Sequence, residues 1–171
     1  MDILDAYKNG AYDIELENII QSLGDLDSKV ENIHGIMEAF FQFSPKEKWE
    51  KLETTLYILL EFSNLVDITI FKKVLLEAES LFKENNGAFI FNEDILYNYF
   101  RSLSKYFEKN VGIEDCQDFL YDNSILFIIL KRIKNLNLNG IDEFVCYGIL
   151  NIMLTIFERG EDFERRIIRK N

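Results

Sequence analysis

The chain of 171 residues is poor in the residue types from which catalytic and metal sites are usually built. It has one histidine, His34, and two cysteines, Cys116 and Cys146. A structural zinc site takes four Cys or His ligands at close sequence spacings. These three residues stand far apart, so neither a metal nor another cofactor is expected. His34 has Glu31 at i−3 and Glu38 at i+4, the spacing of a helix-surface ion pair, and we read it as that or as a boundary histidine. A serine nucleophile would have to take its base from the same histidine, and no serine sits in a nucleophile-elbow pattern. The eight glycines are scattered at the ends of expected helices instead of clustering into a phosphate loop. The two cysteines are expected as buried free thiols, because each stands alone in a helical segment.

Basic residues are also scarce. Nineteen Lys and Arg face thirty Asp and Glu, a net charge of −11. Direct nucleic-acid binding needs a basic surface to displace counterions, so it is not expected. The chain opens MDILDAYKNG, with no basic-then-apolar leader, and a cytoplasmic location is the expectation. Its most apolar stretch, FVCYGILNIMLTIF at 144–157, falls short of the roughly 20 residues that a membrane span needs. We expect that stretch to be a buried helix at the centre of a core, with Gly148, Asn151 and Thr155 on one stripe.

What is present is helical punctuation. Pro45, the one proline, follows Ser44 and precedes Glu47, which predicts a capping box with proline at the first helical position. Residues 1–10 predict a short first turn ended at Asn9-Gly10. In Asp13–Leu23 the residues Ile14, Leu16, Ile19, Ile20 and Leu23 are expected inward, and Glu15, Glu17 and Asn18 outward. Asp27 or Ser28 is expected to cap the next helix, and Asp67 or Thr69 a later one. Further helices are expected from Asn92 to Lys109, over Glu114–Tyr121, and through ILFIILKRIKNL at 125–136. The short connector 88–91 has no obvious strand partner. The sum is one all-α domain over 1–171, a bundle of seven or eight helices. Recurring apolar helices at 55–65, 125–136 and 148–158, and helix-pair starts near 44 and 92, leave room for HEAT-like hairpin stacking.

The acids are unevenly placed. Residues 1–43 hold nine acids against Lys8 and Lys29, and residues 159–171 carry a slight excess of base. Asp13, Glu17, Asp25, Asp27 and Glu31 fall on one helical hairpin, and Glu114, Asp115, Asp118 and Asp122 on a short acidic helix. The pairs Asp13/Glu17 and Asp118/Asp122 lie one helical turn apart. Solvated faces give that spacing as readily as acid–base catalysts do, so we expect no enzyme. Either set, gathered on one face, would make a negative patch able to meet the basic cleft of a nuclease and to speed the encounter. Tyr7, Tyr12, Tyr57, Tyr97, Tyr106 and Tyr121 would serve such an interface wherever they lie beside the acids. The basic tail Arg165-Arg166-Ile167-Ile168-Arg169-Lys170 is expected to pair with an acidic face of its own fold.

In its opening MDILDAYKNGAYDIELENII, its acidic first third and its all-helical body without chemistry, the chain resembles the immunity proteins of bacterial polymorphic toxins and contact-dependent growth inhibition systems. The resemblance extends over the whole chain by type and rests on no motif. It implies a cytoplasmic protein that binds one toxin domain and occludes its active site, with no direct contact to nucleic acid or membrane. Two other classes stay open: a phage-encoded acidic mimic of nucleic acid, and a helical scaffold or regulatory module with an apolar groove. The bases Lys46, Lys48 and Lys51 count against the mimic.

Overall fold

The structure, a computed structural model, describes residues 2–84, 93–109, 113–121 and 123–128. The protein is all-α, as the spacing predicted: the described residues form seven α-helices, one 3-10 turn and a further helical turn at 125–128, with no strand among them. The apolar stretch 144–157, the connector 88–91, Cys146 and the basic tail lie outside the described residues. The chain divides into two compact units, Met1–Val74 and Leu75–Asn171.

In the first unit α1 (Ile3–Lys8), α2 (Asp13–Ser22), α3 (Leu26–Gln42) and α4 (Pro45–Glu61) are followed by the 3-10 turn Ser63–Leu65 and the start of α5 (Ile68–Glu84). The helix α3 packs on α1, α2 and α4, while α2 also packs on α1 and α4. Its core is mainly aliphatic: Leu16, Ile20, Ile33, Ile36, Leu52 and Leu56 are fully buried. Tyr7 and Thr55 bring polar groups into it. The Tyr7 hydroxyl lies 2.6 Å from Thr55 Oγ1, and Thr55 in turn donates to the Lys51 carbonyl at 2.6 Å, so the tyrosine is the donor. Burial pushes the Tyr7 hydroxyl well above the usual tyrosine range, which keeps that proton in place.

The helix ends follow local chemistry. Ser44 and Glu47 form the predicted capping box, with Pro45 in the first turn of α4. Asp67 Oδ1 accepts from the N–H groups of Thr69 (2.9 Å) and Ile70 (3.3 Å) and so caps α5. One cap differs from expectation. Neither Asp27 nor Ser28 caps α3; Asp25 does, accepting from Ser28 N–H at 2.8 Å and from Ser28 Oγ at 2.9 Å. A carboxylate at the N-cap reaches the N–H three residues on, and this places Ser28 inside the first turn. The end of α1 is a Schellman closure: Ala11 N–H donates to the Ala6 carbonyl (3.0 Å) and Gly10 N–H to the Tyr7 carbonyl (3.2 Å). It requires Gly10 at φ 82°, a conformation that residues with a Cβ rarely adopt.

The second unit takes the rest of α5 with α6 (Glu93–Glu108), α7 (Ile113–Gln117) and a helical turn at 125–128. Among the described residues its core mixes aliphatic side chains with packed rings. Phe82 meets Tyr99 edge-on at 5.2 Å between ring centroids, and Phe119 meets Tyr106 at 5.6 Å. Cys116 is buried, as expected of it. Among the described residues no helix is long and apolar enough to cross a membrane.

Candidate functional site

The feature of the first unit best suited to recognition is an open cleft of about 550 Å³ between the start of α2 and the middle of α4. Its α2 side is the run Gly10 to Ile14, and its α4 side is Glu53, Thr54 and Tyr57. The Schellman closure turns the chain so that Tyr12 and Asp13 form the lip. Lys51 Nζ holds that turn from α4, donating to the Tyr7 carbonyl at 2.7 Å.

Two hydroxyl–carboxylate bonds join the walls. Thr54 Oγ1 donates to Asp13 Oδ1 at 2.6 Å, and Tyr57 donates to Glu17 Oε2 at 2.5 Å. Gln21 Nε2 donates to the other Glu17 oxygen at 3.2 Å. The hydrogen bond to Glu17, then desolvation, then the charges of Glu17, Glu61 and Asp13 hold the Tyr57 hydroxyl well above its usual range. It therefore remains a donor. Desolvation, followed by the nearby Glu17 charge, raises the Glu61 carboxyl above the ordinary carboxylate range, so negative charge is already crowded on this face.

Against that background Tyr12 and Ile14 stand out, with 78% and 64% of their surfaces exposed. Ile14 corrects the inward placement given to it by the sequence pattern. It lies two residues, about 200° of helix, from Leu16, so it cannot share the face of Leu16 and Ile20. Glu17, expected outward, is half-buried because it holds Tyr57.

Within the first unit the predicted site residues fall in two places. Asp13 and Glu17 come together with Glu53, Glu61 and Tyr57, and of the predicted acids only Asp13 lines the cleft. Asp25, Asp27 and Glu31 are exposed at the start of α3. Asp25 is engaged as the cap, and hydrogen bonds from the Ser28 N–H and then its hydroxyl lower its pKa. Glu114, Asp115 and Asp118 are exposed in the second unit, and Asp122 lies outside the described residues. Of the six tyrosines, Tyr7 and Tyr106 are buried at 1% exposure and serve the core. His34 is a half-buried boundary residue whose Nε2 accepts from the Asp67 N–H at 3.1 Å. No group of three acidic, His or Cys side chains among the described residues has metal-holding geometry.

Sequence reasoning missed Glu53, Thr54 and Glu61, the α4 half of this face. The available signal was that Thr54 and Tyr57, three residues apart, present hydroxyls along one side of α4. It also missed Glu79 in the second unit, which is 3% exposed. Glu79 accepts from Tyr99 and from the Ile125 N–H (2.9 Å), with Lys83 Nζ 3.8 Å away. Burial raises its pKa, against the lowering influence of those three partners. A charged residue between Leu75, Ala78 and Phe82 on an apolar stripe was its sequence signal.

No family model matches this chain, and no curated protein or solved structure does either.

Proposed function

We propose that this protein acts by binding, as the immunity partner of a bacterial toxin domain with a basic active-site surface. In this reading it works in the cytoplasm, lays the α2–α4 face against the toxin and occludes its active site. The observation that carries the proposal is the exposed pair Tyr12 and Ile14 flanking Asp13 at the mouth of an acid-lined cleft. Exposed aromatic and aliphatic side chains desolvate well and supply the anchors of interfaces. Surrounding acids steer a basic partner and set its orientation. The net charge of −11 acts in the same direction over longer range. The struts from Thr54 and Tyr57 fix the carboxylates beforehand, so less conformational freedom is lost on docking.

The test is co-expression with a basic toxin domain encoded beside this gene, scored by growth rescue and co-purification. Rescue that fails in the double variant Tyr12→Ala/Ile14→Ser, with the variant still folded, is the expected outcome. Absence of a complex, or rescue indifferent to both residues, would remove the proposal.

A further inference from the structure

We infer that the α2–α4 cleft is a subsite for one arginine side chain of a basic protein partner. This rests on the docking role proposed above and specifies what that face recognises. The occupant follows from two independent features of the walls. The first is aromatic and aliphatic surface open to solvent: Tyr12 and Ile14 on one side, with Tyr57 across from them. The second is carboxylate chemistry, from Asp13 and Glu53. Asp13 accepts from Thr54 through Oδ1 alone, which leaves Oδ2 for a ligand in a carboxylate that is already oriented. Glu17 is a strut, since Tyr57 and Gln21 engage both of its oxygens.

A guanidinium matches both wall types at once. It is planar and weakly hydrated, stacks on tyrosine faces, and offers several N–H donors to fixed carboxylate oxygens. An ammonium is drawn by the same charge but is compact and strongly hydrated, and gains less from the rings. A bare apolar segment would leave Asp13 Oδ2 desolvated without a donor. The volume of about 550 Å³ admits the arginine together with neighbouring backbone.

The test uses the full chain, isotope-labelled for NMR, titrated with N-acetyl-arginine methylamide and separately with N-acetyl-lysine methylamide. The expected result is a set of shift changes confined to the amides of residues 10–14, 53, 54 and 57, with the arginine probe binding roughly two- to fivefold more tightly. Tyr12→Ala, a change at an exposed side chain, should abolish most of that preference, and Asp13→Asn should weaken both probes. Equal affinities, or shifts spread over Asp25, Asp27 and Glu31, would overturn the subsite. A toxin complex that depends on Tyr12 while the probes show no preference leaves the docking reading standing and removes the arginine subsite alone. Arginine binding in the cleft without any toxin complex does the reverse.

Discussion

Glu17 and Glu79 each accept a hydrogen bond from a tyrosine hydroxyl, yet the two pairs do different work. The Glu17–Tyr57 pair is half-buried, has Glu61 and Asp13 nearby, and adds no cation. The Glu79–Tyr99 pair is buried, and its charge is answered by an amide N–H and an ammonium group. An acid near water can be left in surplus, and that surplus is then available to a partner. An acid in the core has to be satisfied where it stands, so its bonds are turned to the fold and it offers nothing outward. Lys83 makes the point from the other side, since it also sits over the Tyr121 ring at 4.6 Å from the centroid.

The comparison is tested hardest at Glu79. Replacing it with Ala strands the Ile125 N–H, the Tyr99 hydroxyl and Lys83, and should cost about 3 kcal/mol in urea denaturation. Glu79→Gln keeps an acceptor and should cost much less. The Glu79 carboxyl is raised above its ordinary 4.5, so the folded state takes up a proton before the unfolded state does. Its contribution is fully present below about 4.5 and is lost as pH rises through the folded value. Stability of the wild type should therefore rise as pH falls across that window, and Glu79→Gln should flatten the slope. An unchanged slope would show that Glu79 is not the group responsible.

Smaller effects belong to the first unit. Gly10→Ala forces a Cβ into the left-handed conformation and should cost about 1–2 kcal/mol, read as a lowered urea midpoint with an unchanged m-value. Tyr57→Phe removes one hydroxyl donor to Glu17 and should cost about 1 kcal/mol. A double-mutant cycle with Glu17→Gln should recover most of that as coupling, and a coupling near zero would show that the strut contributes nothing. Tyr12→Ala should change stability by no more than about 0.5 kcal/mol and yet weaken the proposed toxin complex roughly tenfold or more. If it unfolds the protein instead, Tyr12 belongs to the fold and not to the binding face.

Local chemistry made much of the fold readable in advance. The Ser44-Pro45-Lys46-Glu47 box and Asn9-Gly10 act within four residues, and the structure places both where they were expected. The cap of α3 was missed because Asp25 suits the position as well as Asp27 and Ser28 do, and only the helix start chooses among them. Ile14 was misplaced by counting apolar residues without checking their angle about the helix. The candidate site was legible on one side only. Asp13, Glu17, Tyr12 and Tyr57 could be nominated by type, but their meeting with Glu53, Thr54 and Glu61 depends on α2 lying along α4, a contact between residues about 40 positions apart. Asp25, Asp27 and Glu31, in the same unit, lie instead at the start of α3.

Lys51 clasps the turn ahead of the cleft, while Tyr12 and Ile14 project beyond that turn and carry almost none of the core. The two outermost side chains can therefore be exchanged with little disturbance to the helices beneath. In the docking role proposed above, redirecting this scaffold to a partner with a differently shaped mouth is a matter of a few exposed letters, and drift at those letters would be filtered by partner choice long before it was filtered by folding.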